Sequence, residues 1–308
     1  MRPLRIASRA SKLALIQTNQ VLKLIENICP DIESSITEVS TKGDRDKSDF
    51  LYKAESIGFF TSELENALLD GRANLAVHSF KDLPTLLTPG LAIAAVPKRE
   101  SAADALVASE KVSSIEDLPV GVTIGTSSLR RIAQLHLLRN DINCVPLRGN
   151  VETRVRKVMD GQVDAIVVAC AGLNRLGLVE KNSVVLSPKE FIPAPAQGAL
   201  AVQIRADDSE LAELVMQIDD KNSRIAAETE RCVLEAVHGG CSIPLGVYSQ
   251  IHDDTITIDA IICDLNGKKH VRRSTTSPID QAKINAKNLA QQLLDDGGKE
   301  ILDQIRKS

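Results

Sequence analysis

Between Val122 and Arg175 an apolar run, a polar turn and a helical stretch succeed one another three times, and no other feature of the chain restricts its fold as much. Val122 to Thr126 leads into Ser127-Ser128-Leu129-Arg130-Arg131, and Ile142 to Leu147 leads into Arg148-Gly149-Asn150 and a helix ending at Gly161. Val163 to Ala169 leads into Ala171-Gly172-Leu173-Asn174-Arg175. Strands joined through helices pair in parallel, and ligands of such sheets gather at the carboxyl ends of the strands. The expected class is therefore α/β, with the three turns facing one crevice.

Those turns carry charge. From Thr126 to Lys157 there are seven basic residues, Arg130, Arg131, Arg139, Arg148, Arg154, Arg156 and Lys157, against two acids, Asp141 and Glu152. The chain as a whole has a formal net charge of −4, so the basic patch is local and the balance argues against nucleic-acid binding. Arg139, Arg156 and Lys157 read as helix surface. Arg130, Arg131, Arg148 and Arg154 sit in or just after turns, where a guanidinium fork suits carboxylates. Thr126, Ser127 and Ser128 add hydroxyls, which serve either as a helix cap or as ligand contacts. Phosphate and carboxylate both fit such a pocket, but neither a Walker sequence nor a G-x-G-x-x-G fingerprint is present.

The region before the repeat has the same grammar. Leu4 to Ala7 reads as a strand, Ser8-Arg9-Ala10-Ser11 as a turn, and Leu13 to Ile28 as a helix with apolar residues at helical spacing. A second strand ends over Thr37 to Ser40, and Thr41 to Ser56, with Lys42, Lys47 and Lys53, reads as a long loop. Ser62 and Glu65 suggest a capping box for a helix ending near Gly71. Asn74 to His78 is a strand leading into Ser79-Phe80-Lys81-Asp82-Leu83-Pro84, and Leu91 to Val96 is a buried one. Asp82 stands beside Lys81 in a turn stiffened by Pro84, placed either for a local salt bridge or to stabilise transient positive charge. His78 reads as structural.

Pro193-Ala194-Pro195-Ala196-Gln197-Gly198 is the clearest linker, and Ala199 to Ile204 reads as a strand that returns to the first region. A helix over Arg224 to Val237, strand-like segments such as Ile256 to Ile262, and a helix over Ala282 to Leu294 form a third unit. Inside it, His238-Gly239-Gly240-Cys241-Ser242-Ile243-Pro244 places a thiol in a sharp turn, as a small residue or as a reachable sulfur. With 308 residues the chain exceeds one ordinary core. The expected domains are 1–98 with 199–218, then 99–198, then 219–308. Six scattered cysteines without a C-x-x-C pair speak against a zinc knuckle or dithiol motif, so no metal is expected. The absence of any long apolar window points to a reduced, cytoplasmic setting with no membrane partner. Aromatic residues are scarce, with no Trp, two Tyr and five Phe, which leaves no positive sign of a large interface, so a monomer is expected.

Six motifs in order, Arg5-Ile6-Ala7-Ser8-Arg9-Ala10-Ser11, His78 to Pro84, Gly125 to Arg131, Leu147 to Arg154, Ala171 to Gly177 and Gly239-Gly240-Cys241, resemble the porphobilinogen deaminase (hydroxymethylbilane synthase) family. The resemblance runs from near residue 4 to the C-terminal helix. It implies three domains, the first two periplasmic-binding-protein-like with the active site between them, the third a small α/β domain carrying the cofactor cysteine. It also implies a dipyrromethane cofactor bound by a thioether to Cys241. The implied reaction condenses four porphobilinogen molecules head to tail, releases ammonia at each step, and hydrolyses the chain from the cofactor as hydroxymethylbilane.

By the same resemblance Asp82 is the catalytic group, hydrogen-bonding pyrrole N–H groups. Ser11, Lys81, Asp82, Thr126, Ser127, Ser128, Arg130, Arg131 and Arg148 hold the cofactor. Arg9, Ser11, Gln17, Arg148, Arg154 and Arg175 hold substrate. Two positions depart from the family: Ile57 stands where an active-site-loop lysine is common, with Lys53 as a substitute, and His238 where an acid often precedes the two glycines. Two rival readings are a non-catalytic carboxylate- or phosphate-binding protein on the same scaffold and a hydrolase using Cys241 as nucleophile.

Overall fold

A computed structural model of the chain describes residues 2–40, 61–179, 182–237 and 243–307. The expected loop lysines Lys42, Lys47 and Lys53, together with Ile57, His238 and Cys241, lie outside the described residues.

The chain opens with β1 (Leu4–Arg9), α1 (Lys12–Ile28), β2 (Ser34–Val39), α2 (Ser62–Leu69), β3 (Leu75–Ser79) and β4 (Leu91–Ala95). It continues through β5 (Asp104–Ala108), β6 (Thr123–Gly125), α3 (Leu129–Leu138), β7 (Asn143–Val145), α4 (Val151–Met159), β8 (Ala165–Ala169), α5 (Cys170–Leu176) and β9 (Ser183–Val185). Then come β10 (Leu200–Arg205), α6 (Ser209–Met216), α7 (Lys221–Ala236), β11 (Leu245–His252), β12 (Thr255–Cys263), β13 (His270–Pro278), α8 (Ala282–Leu293) and α9 (Lys299–Lys307). The structure divides into one unit of residues 1–100 with 198–224 and another of residues 101–197 with 225–308.

The first unit holds a sheet of order β2-β1-β3-β10-β4, and the second holds one of order β7-β6-β8-β5-β9. In each, four strands run in one direction and the fourth position is filled by the one antiparallel strand: β10 between β3 and β4, β5 between β8 and β9. The two topologies are the same. The inserted strand is in each case the first after the chain has passed from one unit to the other. The apolar run Ala199 to Ile204 thus does return to the first region, pairing Leu200 with Ser79 and Ile204 with Leu75.

Strands β5 and β8 are buried almost throughout, as are β3 and β10, which explains their near-continuous apolar sequences. Helix α1 lays Val21, Leu22 and Ile25 against Leu4, Ile6, Leu75 and Val202, the face its spacing prescribes. The capping box expected at Ser62 and Glu65 does not form. Thr61 occupies the cap without a side-chain bond. Glu65 is drawn inward instead, accepting from Gln203 Nε2 at 3.0 Å and from Thr88 Oγ1 at 3.0 Å.

Within the second unit a third sheet, the antiparallel meander β11-β12-β13, packs one face on α7 and α8 through Val233, Val247, Ile258, Leu289 and Leu293. Its other face meets α3, where Ile261 and Cys263 contact Ala133 and Ile192. The turn after β12 passes so close to α3 that a Cβ on Gly267 would lie 2.3 Å from the His136 carbonyl carbon, and Gly267 also has φ of +67°. Only glycine satisfies both conditions. Among the described residues no helix is long and apolar enough to cross a membrane.

Candidate active site

In the first unit the charged residues cluster at the carboxyl ends of β1 and β3, which pair in parallel with Ile6 opposite Leu75. That register brings Arg9, the last residue of β1, level with His78. Ser11 caps α1, its Oγ accepting from the Ala14 N–H at 3.3 Å. Gln17, one turn further, is buried and donates from Nε2 to Ser79 Oγ at 3.0 Å. Strand β3 then enters a 3-10 turn, Phe80–Asp82, closed by the Leu83 N–H to Phe80 carbonyl bond at 3.3 Å. Phe80 and Leu83 are buried, which leaves Lys81 and Asp82 between them half-buried. A strand end and a buried pair three residues apart therefore set where the Asp82 carboxylate sits.

His78 lies under this edge, 5 % exposed, and burial pushes its pKa down from 6.5 to about 4, with a further lowering from the Arg9 charge. Contact with the Gln203 side chain opposes this in part. Its Nε2 finds no hydrogen-bond partner among the described residues. The imidazole is thus neutral and structural, but incompletely satisfied. Because the folded pKa is below the unfolded one, the unfolded chain takes up the proton first, and stability falls as pH drops from 6.5 towards 4. The full effect is roughly 3 kcal/mol. Denaturant midpoints between pH 7 and 4.5 should fall less in His78→Gln than in the parent; parallel curves would contradict this assignment.

In the second unit the hydroxyls after β6 are engaged with backbone. Thr126 Oγ1 accepts from the Ser128 N–H at 3.2 Å, and Ser128 Oγ caps α3 by accepting from the Arg131 N–H at 3.5 Å. Ser127 Oγ bonds both the N–H and the carbonyl of Leu147, at 3.1 and 3.2 Å, stitching the turn after β6 to the turn after β7. Arg130 and Arg131 are not on an open turn as their position in the sequence suggests. Both are buried around Asp104: Arg130 Nη2 lies 2.8 Å from Oδ2, and Arg131 Nη2 and Nε donate to Oδ1 at 2.7 and 3.1 Å. The first turn of α3 points inward, so the pair meets a carboxylate on β5 that the sequence places 26 and 27 residues earlier.

Arg148 and Arg154 differ from that pair. Gly149, with φ of +115°, turns the chain sharply after Arg148, and Asn150 caps α4 by accepting from the Thr153 N–H at 2.8 Å. Arg154, on the first turn of α4, donates from Nε to the Gly149 carbonyl at 2.8 Å, which folds it back over the turn that carries Arg148. Burial, then the charges of Arg131 and Arg148, push the Arg154 pKa down to about 10. Arg148 Nε and Nη2 are buried with no hydrogen-bond partner among the described residues. The charges of Arg131 and Arg148 thus both bear on Arg154, Asp104 answers that of Arg131, and two donor nitrogens of Arg148 stay unpaired among the described residues. An unpaired buried donor is costly, and a ligand carrying several carboxylates relieves both the repulsion and the unpaired donors. Arg175 lies on the last turn of α5, the helix that begins at Cys170 directly after β8.

Sequence reasoning missed Asp104, Gln197 and Gln134. One signal was present: an acid opening the apolar run Asp104-Ala105-Leu106-Val107-Ala108 needs a buried partner, and a cation must supply it.

Two sheets of one topology, each carrying charged side chains after its parallel strands, and a third, antiparallel sheet make this a mixed α/β protein. Comparison with known families narrows the class. A family model described as "Porphobilinogen deaminase, dipyromethane cofactor binding domain" matches residues 4–213, and one for the C-terminal domain of porphobilinogen deaminase matches residues 224–295. The chain belongs to the porphobilinogen deaminase family. Porphobilinogen deaminase of Maridesulfovibrio salexigens is 43 % identical over 305 residues, covering 99 % of each chain. That of Syntrophomonas wolfei is 42 % identical over 307 residues, covering 100 % of each. A non-catalytic binder on the same scaffold is not supported by these matches.

Proposed function

We propose that the chain is a hydroxymethylbilane synthase, a transferase that joins four porphobilinogen molecules head to tail and releases ammonia at each junction and the linear product by hydrolysis. The observation that carries the reading is the guanidinium cluster of Arg131, Arg148 and Arg154 with two buried, unpaired donors on Arg148. Each pyrrole of such a chain bears an acetate and a propionate, so a growing oligomer accumulates the charge this cluster lacks. The donor set fits dipyrromethane, whose carboxylates Arg148 and Arg154 would hold and whose chemistry is to supply the pyrrole carbon that accepts the first substrate unit.

The chain's own groups divide the rest of the work. The Asp82 carboxylate, fixed by the turn after β3, accepts hydrogen bonds from pyrrole N–H groups and stabilises the cation left on a porphobilinogen molecule when ammonia departs. Arg9, Ser11, Gln17, Lys81 and Arg175 orient substrate carboxylates. Arg130, with its donors committed to Asp104 and the Ile192 carbonyl, keeps the first turn of α3 in place. Thr126, Ser127 and Ser128 set the turns from which the arginines extend. The supporting features for a monomeric, cytoplasmic protein of three domains, 1–98 with 199–218, 99–198 and 219–308, are the low aromatic count, the lack of a membrane-spanning helix among the described residues, and the gap between the two family matches.

Cys241 is assigned the thioether on the strength of its Gly-Gly-Cys motif. Intact mass tests this: the parent chain is expected to exceed its sequence mass by one dipyrromethane, and Cys241→Ala to lose that increment. Incubation with porphobilinogen should give uroporphyrin after oxidation. A parent of unmodified mass that forms no porphyrin would sink the reading.

A further inference from the structure

The second unit's first segment begins at Ser101 and ends at Gln197, so that segment's two connections to the first unit leave from these points. They are tied together. Gln197 is fully buried and donates from Nε2 to the Ala102 carbonyl at 2.9 Å, the Ala103 carbonyl at 3.3 Å and Asp104 Oδ1 at 3.1 Å. The residue before it, Ala196, has φ of +59°, a conformation that costs a non-glycine residue energy and persists only when its surroundings hold it. The Glu230 carboxylate supplies that hold by accepting from the Ala196 N–H at 2.6 Å.

Asp104 is 0 % exposed and receives this glutamine together with Arg130 and Arg131. Arg131 Nη1 continues to the Val167 carbonyl and Arg130 Nη1 to the Ile192 carbonyl, both at 2.9 Å, so the departing segment is bound a second time. Gln134 holds the same peptide, with Nε2 to the Ile192 carbonyl at 2.9 Å and Oε1 accepting the Ile192 N–H at 2.7 Å. One carboxylate thus joins the chain's arrival, its departure and the first turn of α3. A buried charge of this kind is stable only while its partners surround it, so none of the three can shift alone.

We propose that Asp104 is a positioning residue for the reaction, acting through Arg131 to hold the Arg131–Arg148–Arg154 cluster in register with the connections that leave at Ser101 and Gln197. This rests on the function proposed above. Asp104→Asn keeps the shape and one acceptor but removes the charge. Gln197→Leu leaves both ion pairs and cuts the tie to the connections.

Both variants, purified as holoenzyme, are compared with the parent for kcat, KM for porphobilinogen, melting temperature and, by intact mass, the fraction of chains carrying the cofactor increment. Each is expected to raise KM at least fivefold with kcat within threefold of the parent. The double variant should raise KM by less than the product of the single changes, because both act through one carboxylate. The loaded fraction should fall in Asp104→Asn and hold in Gln197→Leu. A Gln197→Leu chain with KM within twofold of an active parent, whatever its melting temperature, overturns the proposal. If Asp104→Asn fails to fold, that same KM decides. A parent that does not consume porphobilinogen overturns the functional reading and the positioning role with it.

Discussion

Asp82→Asn is expected to lower turnover by about a hundredfold to a thousandfold while KM for porphobilinogen stays within a few-fold of the parent. The magnitude is that of removing one preorganised electrostatic contact to a charge that develops in the transition state. The substitution is nearly isosteric, and the 3-10 turn that fixes residue 82 depends on Phe80, Leu83 and Pro84 rather than on the carboxylate, so the fold should be unaffected. What is lost is a negative charge set among cations, with Lys81 next to it and Arg9 at the end of the neighbouring strand. Ground-state binding through carboxylates uses the cations and persists. Steady-state kinetics on protein whose cofactor load has been verified by mass checks the split, and turnover within threefold of the parent would remove Asp82 from the catalytic role.

Arg148→Leu should uncouple stability from function. The Arg148 guanidinium buries two donors that have no partner among the described residues, and it repels Arg154. Replacing it with an apolar side chain removes both penalties, so when the two chains are compared free of cofactor, each on a Cys241→Ala background, the melting temperature is expected to hold or rise. Ligand affinity moves the other way, since each charge-assisted hydrogen bond is worth about 1.5–3 kcal/mol, which corresponds to roughly a ten- to hundredfold loss. The expected result is a chain whose cofactor-free form is at least as stable as that of the parent, but which carries less cofactor and elongates poorly. Arg156→Leu, an exposed position on α4, the helix that follows the Arg148 turn, serves as the control and should change neither. Unaltered cofactor load and activity in Arg148→Leu would take that arginine out of the site.

The parallel alternation of β6, β7 and β8 was legible because each strand, turn and helix follows the next within a few residues and periodicity records local order. The reversed strand β5 was not, since nothing local distinguishes a strand inserted from a distant connection. The same limit hid the environment of Arg130 and Arg131. Their place in a turn was readable; that their charge is answered by Asp104 depends on β5 lying beside β8, a pairing of Asp104 with Ala169 that only the folded sheet defines. Glu65 failed for a related reason. Its spacing from Ser62 matched a local cap, but a buried glutamine on β10, 138 residues away, made the better partner. Arg148 and Arg154 were read more closely, because their turn, glycine and helix cap are consecutive.

The order of strands in the first sheet also bears on how the chain is made. Strand β10 lies between β3 and β4, so when residue 100 has left the ribosome the sheet still has a gap at its fourth position, flanked by two strands lacking their shared neighbour. Every strand of the second sheet, by contrast, is encoded between Asp104 and Val185. During synthesis the later-encoded sheet is therefore the first that can close, and the N-terminal one waits with unsatisfied backbone edges until Leu200–Arg205 arrives.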